Sequence, residues 1–277
     1  MARQNRYHTT AGTARIGGRC VAEFLVIKEH TRLPKWLACR IGAYLPARCR
    51  DVTVCGVKGR IEVYRDITSA RGRKRAVLRL QEAEKQGIVC TVIADKTVRQ
   101  DIARSLVHPL ADGSILSASL RLERIMSETD CVRARIAFDG ADSTLGRAVA
   151  AYLAKRVRFL TLIGRSENAL CRLARCLWQT EGIAAIVGAR KADRIITLGE
   201  LVQEADCLAG GQCISTAIVE CALLAGHFSH ERYDHITART LMKTAELARG
   251  LGISILPKKG AGAGQIRLTN APSAHII

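Results

Sequence analysis

The chain has 277 residues, 48% of them hydrophobic and 25% charged, with a formal net charge of +18. That length and apolar content support a packed core, in two modest domains or one large one. Aromatic residues make up only 4%, which argues against a single-strand nucleic-acid platform built on stacked rings. The eleven cysteines are odd in number and carry no CxxC spacing, which argues against a disulfide framework. No apolar signal core follows the start, and no run approaches the about 18 apolar residues of a membrane span. A reducing cytoplasm is therefore the expected compartment. The positive charge suits a polyanion, nucleic acid or an anionic membrane surface, yet the arginines are spread along the whole chain. Their densest cluster, Arg71-Gly-Arg-Lys-Arg75, carries no helix-turn-helix, zinc-finger or RNA-binding signature and reads as a solvated basic face.

In chain order, residues 1–18 read as a loose basic arm, and residues 20–28 as a strand or a short helix. Pro34 opens a helix at its first turn, with Trp36, Leu37, Ile41 and Leu45 on one side and Pro46 as its stop. Val52-Thr-Val-Cys55 and Arg60-Ile-Glu-Val-Tyr64, split by Gly56 and Gly59, predict a hairpin. The spacing of Val77, Leu80 and Ala83 predicts an amphipathic helix over 71–86, closed by Gly87. The continuous apolar run Ile88–Ile93 reads as a strand buried on both faces of a parallel sheet. Helical patterns follow over 96–107 and, after a turn at 109–113, over 114–126. Residues 19–126 are expected to form an N-terminal α/β domain.

Residues 133–166 organise the rest. A short apolar run ends at Gly140, a helical pattern follows with Leu145, Val149, Tyr152 and Leu153 on one face, and a second apolar run covers Phe159–Ile163. Strand, glycine turn, helix and strand make the first half of a nucleotide-binding βαβ unit. The chemistry asks for these residue types. Gly140 allows a tight turn and lets backbone N–H groups approach a pyrophosphate. Those amides, with the positive end of the helix dipole, attract phosphate without a charged side chain. Gly146 lets helix and strand pack closely, and Ser143 stands where the usual fingerprint has its middle glycine. Gly140, Ala141, Asp142, Ser143, Thr144, Leu145 and Gly146 are thus the expected cofactor-binding turn. NAD enzymes usually place an acidic residue at the end of the second strand, for a ribose hydroxyl; this chain has Gly164-Arg165-Ser166. Arg165 offers a fork of donors to a 2′-phosphate and Ser166 one more, so NADP is expected in preference to NAD. The bland alternative makes Arg165 a solvated residue at a strand end.

Further on, a helix is predicted over 167–180, a third strand at Ile183–Val187, a short helix over 198–204 capped by Thr197, and a fourth strand over 205–211. That completes a β-α-β-α-β-α-β half of a doubly wound sheet over 127–211. Cys213–Leu224 reads as an apolar helix carrying Glu220, and Thr237 caps a second one with Leu241, Ala245 and Ala248 on its apolar side. These C-terminal helices fill 212–256, and 257–277 is a flexible basic tail by composition. The spacing of His227, His230 and His235 fits no zinc pattern.

From Asp51 onward these features resemble long-chain acyl-ACP reductases and the related bacterial predicted amino-acid dehydrogenases of shikimate-dehydrogenase-like kind. Gly140-Ala-Asp-Ser-Thr-Leu-Gly146 is similar to that family's Gly-Ala-Thr-Gly-x-Ile-Gly. Leu160-Thr-Leu-Ile-Gly-Arg165 is similar to its second strand, with the NADP-side arginine. Ile218-Val-Glu-Cys-Ala-Leu-Leu224, with Gly226-His-Phe-Ser229, is similar to its C-terminal segment. The resemblance implies a Rossmann-type parallel sheet and NADPH as hydride source. It also implies an acyl thioester, carried on an acyl carrier protein or coenzyme A, reduced to an aldehyde through a cysteine thioester. Three departures bear on that chemistry. The position matching the acylated cysteine, three residues before Glu220, is Ala217; Cys213 lies one turn earlier on the predicted helix and is the candidate nucleophile, and Cys221 follows Glu220. The sheet is cut short after Asp206-Cys-Leu-Ala-Gly210. The family's glycine-rich loop after the buried strand is replaced by Thr91-Val-Ile-Ala-Asp-Lys-Thr-Val98.

The expectation is an α/β protein: a truncated Rossmann-type sheet, an N-terminal α/β domain and returning C-terminal helices. The leading functional reading is an NADP-dependent oxidoreductase acting on an acyl thioester or another small carbonyl substrate. A second is a non-catalytic relative that keeps the nucleotide as a sensor or regulator. A third is a basic protein that binds nucleic acid or a membrane surface through its charge.

Overall fold

The computed structural model describes residues 23–30, 34–88, 90–103, 110–188, 192–203, 205–228 and 236–256. The expected arm at 1–18 and tail at 257–277 lie outside them. The chain is a mixed α/β protein, with two four-stranded sheets and one small antiparallel sheet among the described residues. The first sheet contains β1 (Phe24–Glu29), β2 (Arg48–Val54), β3 (Val57–Tyr64) and β4 (Cys90–Ile93), in the order β2-β3-β1-β4. β1 runs parallel to β3 and β4, and β2 is antiparallel to β3. β1 is a strand because both its faces are used. Phe24 and Val26 enter one hydrophobic cluster, Leu25 and Ile27 another, and all four are buried. The expected hairpin is present. Val54 pairs with Val57 across a two-residue turn in which Cys55 and Gly56 have φ of 53° and 79°, the handedness that a tight hairpin requires.

On one side of this sheet lie α2 (Ala70–Lys85) and α3 (Lys96–Ala103), over Leu25 and Ile27. Ser69 caps α2 by accepting from the Gly72 amide at 3.1 Å. The first helix, α1 (Lys35–Ile41), continues into a single 3-10 turn, Gly42–Tyr44. Its expected apolar side is not a core side: Trp36 and Ile41 are exposed, and Ala38 is the buried residue. The spacing was helical, but the wet and dry faces are decided by what the rest of the chain places beside it.

After α4 (Ser114–Ser127) come β5 (Arg135–Asp139), α5 (Thr144–Ala154), β6 (Phe159–Ile163), α6 (Glu167–Glu181), β7 (Ile186–Val187), β8 (Arg194–Thr197) and α7 (Leu198–Leu201). The four strands are all parallel, in the order β7-β6-β5-β8. The fourth parallel strand is therefore Arg194–Thr197, not the expected 205–211. Residues 205–211 instead contribute β9 (Asp206–Ala209) to the antiparallel sheet, with β10 (Gln212–Ser215) and β11 (Ser254–Ile255), in the order β10-β9-β11. Gly210 and Gly211, with φ of 56° and 78°, turn β9 back into β10. The helix expected over 213–224 accordingly begins later, as α8 (Thr216–His227), and α9 spans Ala238–Gly250.

One continuous core joins the two large sheets. It runs from Phe24, Val26 and Val92 through Ile115 and Ala118 of α4 and Ala222 of α8 to Ile136, Phe138 and Leu160. α8 packs on β1, β3 and β4, and α9 packs against α4 and α5, so the C-terminal helices do return onto earlier parts of the chain. Glu220 anchors that return. Fully buried in α8, it accepts from the Gly113 amide at 3.0 Å and the Leu116 amide at 2.7 Å, and so caps α4 from more than a hundred residues away. Burial, and secondarily the charge of Asp112, push its carboxyl up to about 8, against the pull of those amides. Among the described residues no helix is long and apolar enough to cross a membrane.

Candidate functional site

The strand order puts β5 between β6 and β8. The chain leaves β5 toward one side and reaches β8 on the other, so the carboxyl ends of β5 and β8 flank the point where the strand order reverses. In open parallel sheets such a crevice is where ligands bind. The turn over 140–146 sits there. Gly140 has φ of 96°, and a Cβ on it would lie 2.7 Å from Cβ of Leu198, the first residue of α7. The Gly140 and Ala141 amides donate to the carbonyl of Ile163 at 3.0 and 3.3 Å, which fastens the turn to the end of β6. At Gly146 a Cβ would lie 1.9 Å from the Gly140 carbonyl oxygen. Only glycine allows α5 to start so close to the strand end. Ser143 caps α5: its Oγ accepts from the Gly146 amide at 2.9 Å. The serine in place of the usual middle glycine is thus the helix cap. Thr144 and Leu145, the first residues of α5, present the amide end of the helix.

Asp142 has a role that its position in the sequence did not disclose. Its Oδ2 accepts from the Arg165 amide at 3.1 Å. A Cβ on Gly164 would lie 3.0 Å from its Oδ1. The carboxylate is therefore lodged between the turn and the end of β6, at the strand end where an acidic residue was found missing from the sequence. The signal was present as an aspartate in the turn, but its reach across to residue 165 is a tertiary fact. The side chain of Arg165 is exposed and forms no ion pair among the described residues. Ser166 caps α6, with Oγ 3.4 Å from the Ala169 amide, so its hydroxyl is engaged as an acceptor while its own proton remains available. The backbone cradle, the two glycines that a Cβ would fill and the guanidinium fit a phosphorylated dinucleotide; the Asp142 carboxylate sets a local negative charge against its phosphates.

The candidate nucleophile belongs to a different sheet from this turn. Cys213 lies on β10, exposed and paired with Leu208, in a sheet that shares no strand with the one carrying residues 140–146. Cys213 is on a strand, not on the helix its spacing predicts, because the glycine pair at 210–211 makes a hairpin and residues 212–215 complete it. Ala217 is buried in the first turn of α8. Cys221 is buried beside Cys90, and burial together with that neighbour pushes its thiol well up. Cys55 is raised by burial, and Cys207 to about 12 by burial first and by Cys55, Asp206 and Cys213 after it. Every thiol shift resolved is upward, away from a reactive thiolate.

No group of three metal-ligating side chains occurs among the described residues, and His230 and His235 lie outside them. A cleft of about 530 Å³ opens between α2 and α3, lined in part by Arg73, Lys74, Val77, Gln81 and Asp101. It contains none of the expected site residues. Neither protein-family models nor curated proteins give a match to the chain.

Proposed function

We propose that the chain is an NADP-binding protein of Rossmann type, related to acyl-ACP reductases, with the turn 140–146 holding the diphosphate and Arg165 facing the 2′-phosphate. The observation that carries this reading is the close seat of α5 on the end of β5, where Gly140 and Gly146 leave no room for a side chain and α5 begins, amide end first, at Thr144 and Leu145. A junction this close leaves room for a pyrophosphate against the amide end of the helix. NADPH would supply a hydride. The chain's own residues would bind the diphosphate by backbone amides, hold the adenosine end by Arg165 and Ser166, and cover the turn with Leu198.

A thioester route on an acyl-carrier-protein or coenzyme A substrate, or attack on another small carbonyl, would call on Cys213, since Ala217 has no thiol and Cys221 is sealed in the core. The separation of Cys213 from the turn's sheet favours the second reading, a relative that binds the nucleotide as a sensor without turning it over. Titration of the full chain with NADPH, read by nucleotide fluorescence, is expected to saturate, with NADH weaker and Arg165→Ala abolishing the difference. Absence of binding for both nucleotides at low salt would overturn the proposal. Assay of an acyl-CoA with NADPH then separates the readings: turnover lost in Cys213→Ala supports the reductase, and no turnover despite NADPH binding supports the sensor.

A further inference from the structure

The aromatic rings are too few for a broad stacking platform, but two of the exposed ones lie close together in the sequence. Trp36 and Tyr44 are 65% and 67% exposed, on the short stretch formed by α1 and its 3-10 turn. Trp36 and Arg40 stand at i and i+4, one turn apart on α1, and Tyr44 ends the 3-10 turn that follows. Ala38 turns to the core. The group continues onto α2: the Arg71 guanidinium lies 5.7 Å from the centre of the Tyr44 ring and donates to its hydroxyl, and exposed Lys74 follows one turn later. Rings and cations thus gather over α1, its 3-10 turn and the start of α2: Trp36, Arg40, Tyr44, Arg71 and Lys74.

The charge of this surface is uncompensated. The sequence has no Asp or Glu from Pro34 to Arg50, and none from Ala70 to Gln81. The nearby acids are engaged: Asp66 is buried and accepts from Thr68 and Ser69, Asp51 pairs with Arg60, and Asp101 pairs with Arg73. Among the described residues no carboxylate pairs with Arg40, Arg71 or Lys74.

We propose that this stripe binds single-stranded nucleic acid, with bases stacked on Trp36 and Tyr44 and phosphates facing Arg40, Arg71 and Lys74. Stacking rings need unpaired bases, and arginine adds both charge and a flat stacking surface. A duplex would meet the cations and leave the rings idle. A membrane surface would ask for a continuous apolar face, and here the rings are separated by arginines.

The test uses the full chain and a fluorescent oligouridine about 12 nucleotides long, a length within the usual site sizes, read by anisotropy between about 50 and about 200 mM salt. Trp36→Ala and Tyr44→Ala are each expected to weaken binding by about tenfold without changing the salt slope, and Trp36→Phe to restore most of the loss. Arg40→Ala, Arg71→Ala and Lys74→Ala should each flatten the slope by about 0.7. Arg133→Ala, an exposed arginine outside the stripe, should leave the ring-dependent part unchanged. Three results overturn the proposal: equal affinity for duplex and single strand with no effect of the ring variants, no binding at the lowest salt, or ring-dependent binding confined to phosphatidylserine vesicles.

Discussion

The Asp142 carboxylate accepts from the backbone amide of Arg165, the residue proposed to read a 2′-phosphate. A fixed negative charge some 6 Å from a phosphate costs about 1 kcal/mol in a wet site. Asp142→Asn keeps an oxygen for the Arg165 amide and removes the charge. It should tighten NADPH about fivefold while leaving NADH nearly unchanged. Paired titrations check this, and an equal change for both nucleotides would mean that the carboxylate does not face the 2′ position. Glu220 makes a second prediction at this scale. Its folded-state value, about 8, stands above the ordinary 4.5, so the folded chain holds a proton that the unfolded chain releases. The resulting stability is complete below the ordinary value and is lost as pH rises toward about 8, by about 1.4 kcal/mol per pH unit at the steepest. Melting temperature should fall between pH 5 and 8 in the native chain. In Glu220→Gln, which gives up one acceptor and is less stable at pH 5, that fall should be largely absent. A variant that tracks the native pH profile would show that Glu220 is ionised throughout.

At the scale of elements, the junction between β5 and α5 depends on the absence of one side chain. Gly146→Ala puts a methyl carbon 1.9 Å from the Gly140 carbonyl oxygen, and backbone cannot yield as a flexible side chain would. A loss of about 1–3 kcal/mol is expected in denaturant unfolding, as for other overpacked sites. Ser143→Ala removes only the cap and should cost about 1 kcal/mol. Both helix and strands of this unit were legible in the sequence because their signals are local: an apolar run, a glycine, and apolar residues at helical spacing. The hairpin at Cys55-Gly56 was legible for the same reason. The short β8 was not, since four residues with one buried isoleucine carry no period of their own, and only the neighbouring edge of β5 makes them a strand.

At the scale of the whole molecule, the core that joins both large sheets predicts one cooperative transition. The chain has two tryptophans, Trp36 on α1 before the second strand of the first sheet and Trp178 on α6 between β6 and β7 of the parallel sheet. Fluorescence of Trp178→Phe and of Trp36→Phe should give coincident unfolding curves in urea. Separate midpoints would show that α4 and α8 do not couple the two halves. The exposed faces also belong to this scale. Helical spacing placed Trp36 on a side of α1, but whether that side is covered depends on the position of the first sheet and α2.

By itself the sequence determined the alternation of strand and helix, the hairpin, the glycine turn at 140–146 and the cap residues Thr197 and Thr237, because each rests on interactions within a few residues. Tertiary structure alone decided which four strands share the parallel sheet, that Cys213 stands on a strand away from the turn, that Asp142 reaches Arg165, and that Glu220 caps α4. Those are pairings between distant segments. Their energies come from surfaces and hydrogen-bonding groups that meet only when the chain has folded, so no local pattern encodes them.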